Sequence, residues 1–486
     1  MDSIPTADQN VIPLSPFDNT MVRIYLYTLY ILETLPGCDI EKIHAQLERA
    51  LTNTIEDLPF LGGKLYLDSK GRLEIRLPTS RDTAGSSRVK FSDLREELDL
   101  EDLLDTGIPD DDLDGKKLNA TSLFADLEHG SDVVVCQANF IDGGCILSFA
   151  VHHSVCDGAG QTTVMKTLAS HMQRLDASHL SSLPRHVPDP LASDKGVLSR
   201  LWKDAGNTPW PRACEEASED LWRFLGVNNI AKSTSSSLAG EAPATNEAMA
   251  TSIFYISKDD FAAMKREASG GQAKPDDLDK QITANDALMA FLWQAIMRAR
   301  FPPETLEPAD KTESILDSTF DGRGKFSSEL PPDYTGNVVL ISTARMALRD
   351  LVDRGTSIAA PTRKVREALN GIDTRRIHDA FALADSLPEY TNITFPFATF
   401  AGCELCITSL INFPAYDLQF GASFANEGRA VSFRPPRSEF AAICRRCMVL
   451  PKRQEGGFEV LIAVFASEMD RLMEDVSFSR WAKRSS

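Results

Sequence analysis

Between about Ser181 and Ala250 the chain changes character, and this stretch most constrains what the rest can become. It carries Pro184, Pro188, Pro190, Pro209 and Pro211, then Ser233–Ser237 and Gly240–Thr245, with one helical island around Glu216–Phe224. Proline lacks an amide donor, and a long Ser/Gly-rich run has too little apolar surface to offset its ordering, so the stretch reads as a crossover between folded halves. The expected organisation is therefore a first lobe over residues 1–180, a crossover over 181–248 and a second lobe over 249–486.

Each half mixes periods of two and of about 3.6 residues. In the first, Val22–Leu32 has strand composition, and Asp39 is placed to cap a helix whose apolar positions Ile43, Leu47, Leu51 and Ile55 end before Pro59. Arg72–Leu77, Val133–Ala138 and Cys145–Val151 read as strands, the last two around Asp142-Gly143-Gly144. In the second, a strand over Thr251–Ile256 precedes a helix from Lys258 to about Ala268. A stronger helix begins after Thr283. Val338–Ala344, Leu405–Leu410, Ala430–Phe433 and Phe458–Phe465 have strand composition, and Ala466–Glu474 closes as a helix. The class expected is α/β (α+β), two lobes each with its own sheet.

Composition excludes several roles. With 43% apolar residues in 486 the chain can fill sizeable cores, so disorder throughout is ruled out. A net charge of −19 argues against nucleic acid or an anionic membrane as partner. The longest greasy run, Met21–Leu32, is too short to span a bilayer and contains Arg23. Neither a basic leader nor a retention address is recognisable at the ends, so the cytoplasm is the expected compartment. The odd count of 9 cysteines points to buried thiols rather than a disulfide framework.

The sharpest local signal is His152-His153-Ser154-Val155-Cys156-Asp157-Gly158, between the strand ending at Val151 and a helix starting near Ala159. Given the frequencies of these residue types, a chance match is expected on the order of once per two thousand such chains. Adjacent side chains on a strand point to opposite faces, so one histidine at most reaches a given site. A neutral imidazole suits a general base at neutral pH; Asp157 could anchor the loop and Gly158 allow a tight backbone. A packed histidine pair followed by a capping Asp is the competing reading of the same residues.

The motif His153-x-x-x-Asp157-Gly158 resembles the signature of CoA-dependent acyltransferases of the BAHD type, shared with chloramphenicol acetyltransferase and peptide-synthetase condensation domains. Further segments resemble that family in order along nearly the whole chain: Ser15-Pro16-Phe17-Asp18, Leu58–Leu65, Asp321-Gly322-Arg323 with Tyr334-Thr335-Gly336-Asn337, and Pro414–Gly421. The chain is similar to the fungal secondary-metabolite branch, that of trichothecene 3-O-acetyltransferase. Gln419 stands where the family has an Asp, Ala422-Ser423 where it has Trp-Gly, and Leu410 replaces the Trp after Thr408-Ser409.

The resemblance implies two chloramphenicol-acetyltransferase-like lobes and an O-acyltransferase moving an acyl group, acetyl by preference, from acyl-CoA to a hydroxyl of a terpenoid or polyketide. It implies no resident cofactor or metal, and a monomer. His153 becomes the general base and Asp157 its loop anchor, together the catalytic pair. Gly158 and Arg323 shape the site, Arg323 as partner of Asp157. Thr408 would face the acceptor or the tetrahedral intermediate, and Asn337 would serve at the lobe interface or merely lead a strand. A carrier-protein thioester as donor, and a non-catalytic or metal-stabilised binding protein, are the alternatives.

Other motifs carry less. Cys403-x-x-Cys406 and Cys444-x-x-Cys447 suggest zinc, but both lie in strand-like sequence, where positions three apart face opposite sides. Asp110-x-Asp112-x-Asp114-Gly115 opens like a calcium loop, yet its twelfth position is Thr121 and no flanking helices are expected. Pro109 and Gly115 make it a solvated loop rather than a diphosphate-binding helix. Gly158-Ala159-Gly160 lacks the third glycine of a dinucleotide site.

Overall fold

The most apolar part of the first half, Val134–Ile141 (β7) and Gly144–Val151 (β8), forms an antiparallel hairpin buried along its whole length. At its turn Gly143 has φ +70°, a left-handed conformation that a Cβ disfavours. The structure, a computed structural model, describes residues 10–78, 88–176, 186–230, 247–269, 278, 281–307, 311–391, 393–396, 402–437 and 445–486. The Ser233–Ser237 and Gly240–Thr245 runs and Cys444 lie outside them.

Three sheets organise the chain. The hairpin is the centre of a five-stranded sheet in the order β13-β2-β8-β7-β5, where β2 is Thr28–Glu33, β5 Val89–Asp93 and β13 Ser432–Arg434. A small sheet, β1-β4-β3-β6, comprises Val11–Pro13, Leu73–Arg76, Lys64–Leu67 and Ser131–Asp132. The second half builds a seven-stranded sheet, β11-β10-β12-β14-β15-β9-β16. Its strands are β9 Met249–Ile256, β10 Glu313–Asp321, β11 Val339–Ala347, β12 Glu404–Ser409, β14 Arg446–Val449, β15 Phe458–Phe465 and β16 Lys483–Arg484. Both larger sheets are mixed: β5–β7, β10–β12 and β12–β14 are parallel pairs and the rest antiparallel.

Helices cover the sheets where capping and periodicity place them. Asp39 accepts hydrogen bonds from the amides of Glu41 and Lys42 and starts Ile40–Asp57, whose Ile43, Leu47, Ala50 and Leu51 are buried. The helix stops at Leu58, before Pro59. Thr283 and Asp286 cap each other reciprocally at the head of Ala284–Arg300, which is buried on almost every side. Val22–Leu32 is a strand only from Thr28, because the preceding backbone serves another partner: Tyr25 bridges to His152, and Ile24 accepts the His153 amide at 2.7 Å.

The crossover contains more structure than its prolines suggest. Val197–Asp204 and Glu219–Leu225 are helices, and their Val197, Leu198, Trp202, Trp222 and Phe224 share a core with Phe17, Tyr334 and Phe381. The first helix is too short, at 8 residues, to give a periodic signal, and it is held by burial of Trp202 against Phe381. The Asp-rich loop also differs from expectation. Asp99 and Asp114 cap the short helices Leu100–Asp105 and Gly115–Leu118 that flank it, and Asp110–Asp112 is a 3-10 turn. Among the described residues, no helix is long and apolar enough to cross a membrane.

After β12 the chain returns to the first lobe: Tyr416, Phe420, Phe424 and Phe433 join its core, and β13 pairs with β2. The return is locked by Arg434, which makes a bidentate pair with Glu459 of β15 at 2.6 and 2.9 Å, both side chains buried. Burial alone would raise the Glu459 carboxyl; Arg434 and Arg453 outweigh it and hold it below the ordinary carboxylate range. Removing one member of such a pair leaves a buried charge unmatched. Glu459→Ala is expected to lower unfolding stability by about 3–5 kcal/mol, read as a loss of urea midpoint at constant m-value.

Candidate active site

The His152–Gly158 loop is built from the backbone outward. The His152 amide donates to Val133 at 3.0 Å, and the amides of Val155 and Cys156 return to the His152 carbonyl at 2.8 and 3.2 Å. This turn sends the two histidines to different environments. His152 is fully buried, edge-on to Tyr25 with centroids 5.5 Å apart, and its Nδ1 accepts the Ser154 amide at 3.2 Å. Burial first, then the charges of His153 and Arg23, push it down to about 3, so it stays neutral. It is a packing residue.

His153 is partly exposed, and its Nδ1 is buried while Nε2 is not, so Nε2 is the ring nitrogen that a substrate can reach. Burial pushes its pKa below the ordinary imidazole value; the charge of Asp157, the Asn337 side chain and the carbonyls of His153 and Cys156 oppose that shift. The ring is therefore largely unprotonated at neutral pH.

Both carboxylate oxygens of Asp157 are engaged elsewhere than on that ring. Its Oδ1 accepts from Arg323 Nη2 at 2.7 Å and from the Gly160 amide at 2.9 Å, and its Oδ2 from the Val338 amide at 3.0 Å. It thus caps the helix Gly158–Asp176 and joins the loop to the second lobe. Burial would raise this carboxyl, but Arg323 and the two amides hold it below the ordinary range. Its place in the catalytic pair is that of a positioning residue.

Arg323 is the hub. Beyond Asp157 it reaches Asp321 Oδ1 at 2.9 Å and the carbonyls of Tyr334 and Gly336 at 3.0 and 2.7 Å, so one buried guanidinium binds both loops of the site. Its own burial would lower its pKa, and the two carboxylates more than reverse this. Asn337 completes the frame: its amide and its Nδ2 both donate to Asp18 Oδ1 at 2.8 Å, and Nδ2 also donates to the His153 carbonyl at 2.8 Å. Asp18, whose motif marked the family but suggested no task, is the residue that the sequence left without a role. Its Oδ2 takes the amide and hydroxyl of Ser15 at 3.0 and 2.8 Å.

Two glycines let the lobes close on the loop. A Cβ on Gly158 would lie 2.8 Å from the Phe413 ring, and one on Gly160 would lie 2.3 Å from the Thr335 carbonyl oxygen. Thr408 lies in β12, opposite Met448, and is partly exposed. The contact of this segment with the loop is made further on, by Phe413 and Leu410 at Gly158. Gln419 accepts from Gln173 at 2.7 Å and fastens the returning segment to the end of the loop's helix, while Ser423 sits by Gln46. Cys156 is buried and its thiol is pushed up to about 12 by burial, so it offers no thiolate nucleophile.

A partly exposed imidazole, on a loop clamped between two mixed α/β lobes by an Asp–Arg pair, fits a BAHD-type acyltransferase. A model of the Transferase family matches residues 215–479, and one of the trichothecene 3-O-acetyltransferase-like N-terminal domain matches residues 24–171, so the chain belongs to this acyl-CoA-dependent acyltransferase family, in its fungal branch. An eremophilane O-acetyltransferase of Penicillium rubens is 27% identical over 454 residues, covering 90% of this chain and 91% of that protein. A trichothecene 8-O-acetyltransferase of Fusarium sporotrichioides is 25% identical over 507 residues, covering 97% of each. A similar stretch lies in an isocyanide synthase-NRPS hybrid of Aspergillus fumigatus, 26% identical over 480 residues; it covers 92% of this chain, which spans only 29% of that protein. The solved structure of F. graminearum TRI101 with coenzyme A and T-2 mycotoxin has the same fold, with TM-score 0.76 at 17% identity over 98% of this chain and 100% of that one.

Among the described residues no group of His, Cys, Asp or Glu could hold a metal ion. Asp157→Asn should weaken the Arg323 bond and free the loop. A kcat loss of roughly 10–100-fold is expected from displacement of the loop that carries His153, together with a lower Tm. Because the Asp157 pKa is depressed, its contribution is present above the ordinary Asp value near 3.9 and disappears as pH falls through the native value. The stability difference between wild type and Asp157→Asn should therefore begin to shrink as pH falls below the ordinary Asp value and vanish only below the depressed native one, as read by acid denaturation.

Proposed function

We propose that this chain is an O-acyltransferase that moves an acetyl group from acetyl-CoA to a hydroxyl of a small terpenoid or polyketide, with His153 as general base. What carries this reading is the partly exposed, largely unprotonated imidazole of His153 on a loop held by Arg323 at Asp157 and by Asn337 at the His153 carbonyl. Nε2 takes the acceptor O–H proton as the oxygen adds to the thioester carbonyl. The tetrahedral intermediate then expels the CoA sulfur, and the imidazolium returns its proton to that sulfur. The C–O bond forms on addition and the C–S bond breaks on collapse of the intermediate; both substrates are bound together, and no acyl-enzyme is needed. The buried Cys156 thiol is consistent with that route. Thr408 is assigned to the acceptor side, and the working form is a cytoplasmic monomer.

His153→Ala should lower kcat by at least about 10²–10⁴-fold with little change in acetyl-CoA affinity measured by calorimetry. Near-full activity would overturn the assignment. Since protonated His153 cannot accept a proton and burial depresses its pKa, activity is lost as pH falls through that lowered value. The acid limb of kcat/KM should therefore lie below the ordinary value near 6.5.

The match to part of a peptide-synthetase hybrid favours one second reading, in which the donor thioester is on a carrier protein. Saturable binding of acetyl-CoA at one site supports the first reading; turnover with an acetylated carrier domain, and none with acetyl-CoA, selects the second.

A further inference from the structure

Lys195 belongs to no motif and lies in the crossover, yet it is 2% exposed and sits beneath the His153 loop. Its Nζ donates to the Val155 carbonyl at 2.6 Å and to Thr335 Oγ1 at 3.4 Å, and it lies over the Phe60 ring at 4.5 Å and the Tyr334 ring at 5.9 Å. These partners come from both lobes: Phe60 and Val155 from the first, Tyr334 and Thr335 from the second. Thr335 in turn gives its amide and hydroxyl to the Ala192 carbonyl, both at 2.8 Å, so the crossover is stitched to the same point from two sides.

An ammonium taken this far from water is costly unless something uses its charge. Among the described residues, Lys195 has no carboxylate within ion-pair distance. An apolar side chain would fill the same space between the rings at lower cost, so packing alone does not account for a lysine here. What the ammonium adds is a charge-assisted hydrogen bond to the one carbonyl midway between His153 and Asp157. It also opposes the local negative charge: around the Cys156 thiol, Lys195 and Arg323 act against Asp157 and Asp18.

We propose that Lys195 is a positioning residue for the acyl-transfer reaction, its buried ammonium holding the Val155 carbonyl and tying it to Thr335 so that the loop presents His153 at a fixed place. Arg323 clamps the loop at Asp157, Asn337 clamps it at the His153 carbonyl, and Lys195 supplies the third point between them. This rests on His153 as the general base, since a misplaced base slows proton transfer without altering how either substrate binds.

The test compares Lys195→Met, which keeps the length and removes the charge, with wild type and His153→Ala. The acetyl-CoA stoichiometry from calorimetry corrects each for its folded fraction. Expected for Lys195→Met is a kcat roughly 10–100-fold below wild type, with KM for acetyl-CoA and for the acceptor within about twofold. A purely structural role would instead reduce Tm and active fraction while leaving the corrected kcat unchanged, and that result overturns the proposal. If Lys195→Met does not fold, Thr335→Val keeps the shape and removes the second contact together with the hydroxyl's bond to the Ala192 carbonyl. A several-fold fall in corrected kcat at constant KM supports the proposal, and an unchanged kcat overturns it. The two readings fail differently: an active His153→Ala removes the base assignment itself, whereas an inactive His153→Ala beside a Lys195→Met of wild-type kcat removes only the role of Lys195.

Discussion

The contact between Asp157 and Arg323 is the constraint on which the rest of this molecule depends. A carboxylate and a guanidinium, each nearly inaccessible to water, are brought to 2.7 Å by loops from different lobes. Neither charge is tolerable there alone, because the interior solvates an isolated ion poorly. The pair is stable because each remaining polar atom is also matched, Asp157 by two amides and Arg323 by Asp321 and two carbonyls. Such a network has few alternatives of similar energy, so it selects one relative placement of the two loops. The backbone at His153 is thereby located by a pair bonded to the loop and not to the imidazole.

The lobe junction is built repeatedly from this kind of contact. Arg434 and Glu459 form a second buried pair where β13 crosses into the first sheet. Asp18 receives four donors, two from its own helix cap and two from Asn337. Glycines allow backbone and ring to approach where these polar contacts pull the lobes together. Charged networks of this sort contribute orientation more than net stability, which the three large apolar cores supply. A reaction in which two substrates meet between lobes needs that orientation.

Much of this architecture was legible along the chain. Asp39, Thr283 and the apolar β7 and β8 segments around Asp142-Gly143-Gly144 announced their elements because caps, composition and turns are local signals, and Phe458–Phe465 and Ala466–Glu474 match at both ends. His153, Asp157 and Arg323 were recognisable as a set only through resemblance. Val197–Asp204, the short helices at the Asp-rich loop, and the departure of residues before Thr28 from the strand were not legible, since each is decided by a partner far away in sequence. Gln419, read as a departure from the family pattern, acquires a role only once Gln173 stands beside it.

The sequence by itself determined the mixed class, the most periodic elements and the strand-to-helix loop that carries the two histidines. Those features depend on neighbours within a few residues, where spacing translates directly into geometry. Only the tertiary structure decided which histidine is buried and which is partly exposed, that Asp157 spends both oxygens on Arg323 and two amides, and that Asp18 reaches the same loop through Asn337. It also decided that a lysine from the crossover lies beneath that loop. Each of these is a contact across 40 to more than 300 positions of chain, and no local pattern records it because the energy lies in the meeting of the two ends.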